Sequence, residues 1–531
     1  MKGRRVKRWC CAMQSADGGN LRVRSSGENP LKLCEIMLDS VGEACGVFGA
    51  FSTDGSPVIP YIYWGLISQN HRGHHSHGFL TFDRGFLIHH GLGLLPPIRD
   101  PVTREVFERL RGSVGIGHVR YATSGKDDKQ WLLRDIQPFV VEDGGIKIAL
   151  AYNGNIVNVA QLRNELRLEF GNLSASSDVE LISKKLVQGL RRGMDLRSSV
   201  EACMREVEGA FSVVGLTQDG ELFAFRDPLG IRPLCYGRSD DGSVLAVSSE
   251  SVGLDINNLR YESEVRPGEL LVWSGGELRR ERLVKSERRA FCGFEFAYFA
   301  RPDSILNGTE KPVYKIREEF GRNLGAEDVD IRKKVDVIVS IPETGDDAAY
   351  GLHEQTGLPW ERALRKHRYV TDRAFITNER EREMIIMKKL NVGEAISGKR
   401  VAVTEDSIVR GDTSRRIIKK MREAGAREVH MYITFPRIIS PCFYGIDMAT
   451  FGELIGAKHD EREIARLIGA DSVHYQSIEN FVRATGLRME DLCLGCLTCR
   501  YPTPLAQKLA DEMRARYESG EKESGRIYEC G

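Results

Sequence analysis

Val335-Asp336-Val337-Ile338-Val339-Ser340-Ile341 is a β-branched run too apolar for a strand with one face in water. It fits a parallel strand buried on both faces. Val401-Ala402-Val403 is a second, shorter run and Val429–Phe435 a third. Helical spacing lies between them, notably over Thr413–Ala424, closed by Gly425. Strand, loop and helix repeating in this order predict a doubly wound parallel sheet with its ligand at the strands' carboxyl ends.

The rhythm upstream of about residue 285 is different. Ile146–Ala151, Phe211–Leu216, Leu222–Arg226 and Val244–Ser248 are short apolar runs between Gly-rich turns and read as strands. Tyr61–Gln69 and Asp178–Leu190 carry helical spacing. At 531 residues the chain has room for two to four domains. Its 76 Lys and Arg against 75 Asp and Glu leave a net charge of +1, which gives no global case for nucleic acid. No apolar run is long enough to span a bilayer. The basic start, Met1 to Arg8, is followed by Cys-Cys-Ala-Met-Gln-Ser and not by an apolar core, so it is no signal peptide. The 12 cysteines are scattered, which favours metal binding or catalysis over disulfides. A cytoplasmic location is expected, with no membrane and no nucleic-acid partner.

Cys45, in Glu43-Ala44-Cys45-Gly46-Val47-Phe48-Gly49, alone would read as a buried strand cysteine. Downstream come His71-Arg72-Gly73, Gly117-His118-Val119-Arg120-Tyr121, Tyr152-Asn153-Gly154-Asn155 and Ser177-Asp178-Val179-Glu180. In this order they resemble a class II glutamine amidotransferase domain of the N-terminal-nucleophile type, which implies an αββα sandwich. By that resemblance Cys45 becomes residue one and its free α-amine is the general base; an amine titrating near neutrality suits that task. Asn153 and Gly154 would form the oxyanion hole, Arg120 would bind the substrate α-carboxylate and Asp178 the α-ammonium. Each has a plainer alternative: a hairpin turn for Asn153-Gly154, a surface ion pair for Arg120, a helix cap for Asp178. Residues 1–44 are then a propeptide or an over-long start, removed in the mature protein.

Thr404-Glu405-Asp406-Ser407-Ile408-Val409-Arg410-Gly411-Asp412-Thr413-Ser414 joins a buried strand to two acids, a Gly turn and a helix start. Paired carboxylates suit ribose hydroxyls and a neighbouring Mg2+, and backbone N–H groups of the turn suit a phosphate. The stretch resembles the type I phosphoribosyltransferase motif, and its core resembles the glutamine phosphoribosylpyrophosphate amidotransferase family. That resemblance implies a pyrophosphate loop at Glu343 and Thr344, a closing loop at Arg368 and Tyr369, and contacts from Ser407, Arg410, Gly411, Thr413 and Ser414. Glu405 and Asp406 would lie at the Mg2+. Phe299–Ser304 matches the family's domain junction.

Cys493-Leu494-Gly495-Cys496 alone fits zinc, redox chemistry or chance. Cys292 and Cys442 match the remaining ligands of the family's iron–sulfur subclass, which implies a 4Fe-4S cluster on Cys292, Cys442, Cys493 and Cys496. The other cysteines are expected to be non-ligand thiols. The chain departs from the family in Arg72-Gly73-His74-His75-Ser76-His77-Gly78, at Gly345 and over Thr377–Met384. Expected, in sum, are an amidotransferase domain at 45–285, a phosphoribosyltransferase domain with the iron–sulfur segment at 286–505, and a C-terminal helix and tail at 506–531. The resemblance implies glutamine and phosphoribosyl pyrophosphate as substrates, feedback inhibition by purine nucleotides and a homotetramer. The departures keep two other functions open: an amidotransferase with a different acceptor, or a nucleotide-binding regulator on the same fold.

Overall fold

The computed structural model describes residues 45–121, 133–173, 177–367, 390–521 and 523. The expected propeptide, Arg368, Tyr369 and the Thr377–Met384 departure lie outside the described residues. Within them the first half holds two stacked antiparallel sheets. One has seven strands in the order Arg260–Glu264, Cys235–Arg238, Val244–Ser248, Gly46–Ser52, Val114–Arg120, Ser76–Phe82, Phe86–Leu92. The other has six, in the order Glu277–Arg282, Glu269–Ser274, Leu222–Arg226, Gly209–Thr217, Ile146–Ile156, Phe139–Asp143.

The period of two along each strand builds the layers. Val47 and Phe51 point between the sheets with Leu80, Ile116, Ala149, Ala151 and Val214. Phe48 and Ala50 point out, against Ile59, Ile62 and Leu66 of the helix Ile59–Ile67. On the far sheet Leu150 and Tyr152 meet Leu162, Ile182 and Leu186 of the helices Val159–Phe170 and Asp178–Arg191. Helix, sheet, sheet, helix is the expected αββα sandwich.

The second half carries a four-stranded, all-parallel sheet in the order Val337–Ser340, Arg400–Glu405, Glu428–Ile433, Ser472–Tyr475. Val337, Val339, Val401 and Val403 pack on one face, and Ile338, Ala402 and Tyr432 on the other, which accounts for the unalternating runs. The first strand is shorter than the run because Val335 closes the preceding helical turn, Ile331–Lys334. The strand expected over Ile146–Ala151 is longer, to Ile156, because Gly209–Thr217 pairs along its whole length. Asn153 and Gly154 therefore sit inside a strand and make no hairpin.

A third core joins the halves, with Phe291, Phe294, Phe296 and Phe299 packed against Phe435, Phe443, Tyr444 and Phe481. The C-terminal helix, Pro504–Glu518, closes over it through Ala506 and Ala510. Among the described residues no helix is long and apolar enough to cross a membrane.

Candidate active sites

Cys45 immediately precedes the strand Gly46–Ser52, and the pairing of Gly46 with Val119 sets it opposite Arg120 by register. Its Sγ lies 3.8 Å from the Tyr121 carbonyl oxygen. Burial pushes the thiol above its ordinary value, and the Arg120 charge pulls the other way. Arg120 is itself buried. Its Nη2 donates to Asp135 Oδ2 at 3.2 Å, while Nη1 is buried with no partner among the described residues. The surface ion pair is thus excluded for Arg120.

The neighbouring sheet delivers the rest. His118 Nε2 donates to the Tyr152 carbonyl at 3.0 Å, tying the strand of Arg120 to the strand of Asn153. Both amide atoms of the Asn153 side chain, Nδ2 and Oδ1, are buried and unpartnered among the described residues. A buried amide with neither bond made is costly unless a ligand completes it. Gly154 has no substitute, because a Cβ there would meet the Ala210 carbonyl oxygen at 1.9 Å. Asp178 is the first residue of its helix but does not cap it. Its Oδ2 accepts from Ile156 N at 2.8 Å and from the Tyr152 hydroxyl at 3.4 Å, which holds it at the end of the Asn-Gly strand. The His74, His75 and Tyr121 rings meet in tilted and edge-on contacts with centroids 4.6–5.0 Å apart, so the unusual histidines pack on the residue whose carbonyl faces the thiol.

In the second half a cavity of about 210 Å³ opens at the carboxyl end of the strand Arg400–Glu405. Thr344, Glu405, Asp406, Ser407, Arg410, Gly411, Thr413 and Ser414 line it, together with Tyr298, which sequence reasoning did not single out. Gly411 takes φ 88°, a left-handed turn that glycine adopts at no steric cost, and the helix Asp412–Glu423 starts next to it. Glu343 is exposed and is not part of the lining. Gly345 is dictated by packing, since a Cβ would stand 2.5 Å from the Thr404 carbonyl oxygen.

The two acids are adjacent and buried. Burial and the Asp406 charge push Glu405 up to about 8, with Ser414 Oγ donating to it at 2.9 Å. Burial also raises Asp406, opposed by hydroxyl bonds from Thr344 at 2.6 Å and Ser407 at 2.7 Å. Adjacent buried carboxylates resist ionising together, and a bound Mg2+ removes that resistance. Arg410 anchors on Glu453 through Nη2, leaving Nε and Nη1 buried and unpartnered among the described residues, as an anion site requires.

Four thiols meet in the third core. Phe291–Cys292 pairs in parallel with Leu492–Cys493, with Cys292 opposite Cys493. Ile439 N and Ser440 N donate to the Cys496 carbonyl at 2.9 and 3.1 Å, which brings the Cys442 loop alongside, and Tyr444 N donates to Cys442 Sγ at 3.3 Å. All four thiols are unbridged. Burial pushes Cys292 up to about 12 and raises Cys493 and Cys496 too, and negative charge on any of the four opposes it on its neighbours. Such a set takes up thiolate form when a cationic group neutralises it. Among the described residues no three His, Cys, Asp or Glu converge as a single-ion site. The donor set fits a 4Fe-4S cluster. Cys499 instead ends the turn Gly495–Thr498 at φ 57°.

The fold and the two sites define a class: an N-terminal-nucleophile glutamine amidotransferase fused to a phosphoribosyltransferase domain. Residues 129–255 match the glutamine amidotransferase domain model. The chain is 41% identical to the amidophosphoribosyltransferase of Archaeoglobus fulgidus, over 86% of this chain and 98% of that protein. It is 37% identical to the Bacillus subtilis amidophosphoribosyltransferase, over 90% of this chain and 97% of that one. The solved structure of glutamine phosphoribosylpyrophosphate amidotransferase from B. subtilis complexed with ADP and GMP superposes with a TM-score of 0.77 at 35% identity, covering 87% of this chain and 98% of that one. The chain belongs to the amidophosphoribosyltransferase family, and is a glutamine-dependent pentosyltransferase of purine biosynthesis.

Proposed function

We propose that the mature protein starts at Cys45 and that this thiol attacks the carboxamide of glutamine while its own α-amine takes the proton. The Asn153 amide and the Gly154 N–H stabilise the developing oxyanion. Arg120 holds the substrate carboxylate and Asp178 its ammonium group. Ammonia leaves, and water hydrolyses the thioester to glutamate. The observation that carries this assignment is the pair of buried groups unpartnered among the described residues, the Asn153 amide and Arg120 Nη1, on strands of the two facing sheets that His118 bonds together.

The released ammonia passes through the interior to the Glu405–Asp406 cleft and forms a C–N bond at the ribose C1 of phosphoribosyl pyrophosphate as the C–O bond to pyrophosphate breaks. The products are 5-phosphoribosylamine, glutamate and pyrophosphate. Glu405 and Asp406 would hold Mg2+, which supplies neutralising charge for the departing pyrophosphate. Thr344 and Arg410 face that leaving group, and the Gly411 turn with Thr413 and Ser414 cradles the monophosphate. Arg368 and Tyr369 belong to the closing loop. Cys292, Cys442, Cys493 and Cys496 would hold a 4Fe-4S cluster, which would tie the C-terminal segment to the third core. Purine nucleotides inhibit, in keeping with the nucleotides bound to the B. subtilis relative, and the working form is a cytoplasmic homotetramer.

A glutaminase assay with and without phosphoribosyl pyrophosphate tests the linkage of the two sites. Stimulation is expected. Indifference assigns a different acceptor, and no hydrolysis in either condition makes the chain a regulator on this fold.

A further inference from the structure

A chain of buried charge runs between the two sites, and neither half-reaction consumes it. Glu295 opens a wide helical turn, Glu295–Phe299, closed by Ala300 N donating to the Glu295 carbonyl at 3.0 Å. Such five-residue closures are rare and recur at functional positions. The Glu295 carboxylate has no exposed area. Its Oε2 accepts from Arg72 Nη2 at 2.5 Å, and its Oε1 from Arg232 Nη1 at 3.0 Å and Arg72 Nη1 at 3.3 Å. Arg72 Nε donates in turn to Glu250. The other Glu250 oxygen accepts from Arg301 N at 2.9 Å and Ser304 Oγ at 2.7 Å. All four charged side chains are fully buried, two of each sign.

One end of this chain reaches the thiol site. Arg72 precedes Gly73, where a Cβ would stand 2.5 Å from Arg120 N, so the Arg72 loop lies directly on the strand end opposite Cys45. Arg232 holds the Tyr444 carbonyl at 2.9 Å, and its charge acts on Cys45 and on Tyr152. The other end reaches the phosphoribosyl cleft. Arg317 gathers the carbonyls of Phe296, Tyr298 and Ala300 at 3.0, 3.2 and 2.8 Å, making the turn a rigid unit, and Tyr298 lines the cleft. Glu295 touches neither the thiol nor the cleft.

We propose that Glu295 is a positioning residue that transmits occupancy of the phosphoribosyl cleft to the Cys45 site, through its paired contacts with Arg72 and Arg232. This rests on the two-site function proposed above. Buried ion networks are poor sources of stability compared with apolar packing of equal volume, but a carboxylate shared between two guanidinium forks fixes direction sharply. A shift of Tyr298 when the cleft fills is carried by the turn to Glu295, and from there to the two arginines that frame the glutamine site.

The test is Glu295→Asp, which keeps the charge and withdraws it by one methylene, with Glu295→Gln beside it. Three activities are measured on the full chain: ammonia-dependent phosphoribosylamine synthesis, basal glutaminase, and glutaminase with phosphoribosyl pyrophosphate. Glu295→Asp is expected to keep the first two within about twofold and to lose about tenfold of the stimulation, chiefly as a raised KM for glutamine. Full stimulation in Glu295→Asp overturns the proposal. So does a parallel fall of all three activities with thermal stability, which would make Glu295 a structural ion pair only. Where Glu295→Gln does not fold, Glu295→Asp decides alone and must lose stimulation selectively. Wild-type protein that shows no stimulation overturns the two-site function itself, a different failure from that of Glu295.

Discussion

The side-chain amide of Asn155 donates to the carbonyl of Phe443 at 3.1 Å, across 288 residues of chain. The strand that presents Asn153 and Gly154 is thereby bonded to the loop that presents Cys442. Gly445, in that same loop, lies so near that a Cβ there would come within 3.3 Å of the Gly154 carbonyl oxygen. The two halves of the molecule meet at the Asn153–Gly154 strand, so what seats the cysteine loop also seats that strand.

Cys45→Ala should abolish glutamine-dependent synthesis and spare synthesis from added ammonia, because the Glu405–Asp406 cleft has its own lining. Intact-mass analysis of active enzyme should show Cys45 as the first residue. An active form that retains Ala44 leaves no free α-amine at the thiol and sinks the mechanism.

Asn153→Ala removes one oxyanion donor and should lower glutaminase kcat by about 100- to 1000-fold, with KM for glutamine little changed. The Asn153 side-chain amide bonds to nothing among the described residues, so thermal stability should not fall. A variant that loses stability instead of kcat assigns the amide a structural role.

Asp406→Asn should weaken both the glutamine- and the ammonia-dependent reactions by roughly ten- to a hundred-fold, the scale of one charge-assisted hydrogen bond to a buried ligand. Basal glutamine hydrolysis should persist without its stimulation by phosphoribosyl pyrophosphate. If both synthetic reactions survive intact, the loop is a helix cap and nothing more.

Purified anaerobically, the protein should be brown, with about four irons per chain, the content of the 4Fe-4S cluster assigned to its four thiols. Cys493→Ser should bleach it and loosen the C-terminal helix. Colourless protein with stoichiometric zinc would reassign the thiols.

His118 is fully buried, and burial lowers it to about 3 against an ordinary 6.5, although the Tyr152 carbonyl accepts its Nε2 proton at 3.0 Å. The folded chain keeps it neutral while the unfolded chain protonates. Its contribution is therefore complete above pH 6.5 and is lost as pH falls toward 3, at most about 5 kcal/mol in all. Urea midpoints measured from pH 7 to pH 4 should fall less steeply in His118→Gln, which keeps a donor for Tyr152. Identical slopes would place the acid sensitivity elsewhere.

Motif order and the family resemblance it carries supplied the candidate site. Cys45, Arg120, Asn153, Gly154 and Asp178 could be singled out because each sits in a short motif whose spacing survives any arrangement of the chain. The same holds for Glu405 to Ser414, where strand, acids, glycine and helix start are contiguous. The parallel sheet was legible from its β-branched runs, since burial on both faces leaves no polar alternation. What local pattern could not carry was pairing between distant segments. Asn153-Gly154 reads as a hairpin until Gly209–Thr217 pairs along it. Asp178 reads as a helix cap until Ile156 N claims its carboxylate. Nothing in the sequence marks Arg72, Arg232, Glu250 and Glu295 as one network, and only the closing of the third core takes all four out of water and forces them onto one another. Tyr298 joins the cleft for the same reason. Composition and periodicity act over a few residues, whereas the burial that turns a charge into a fixed contact is decided by segments hundreds of residues apart.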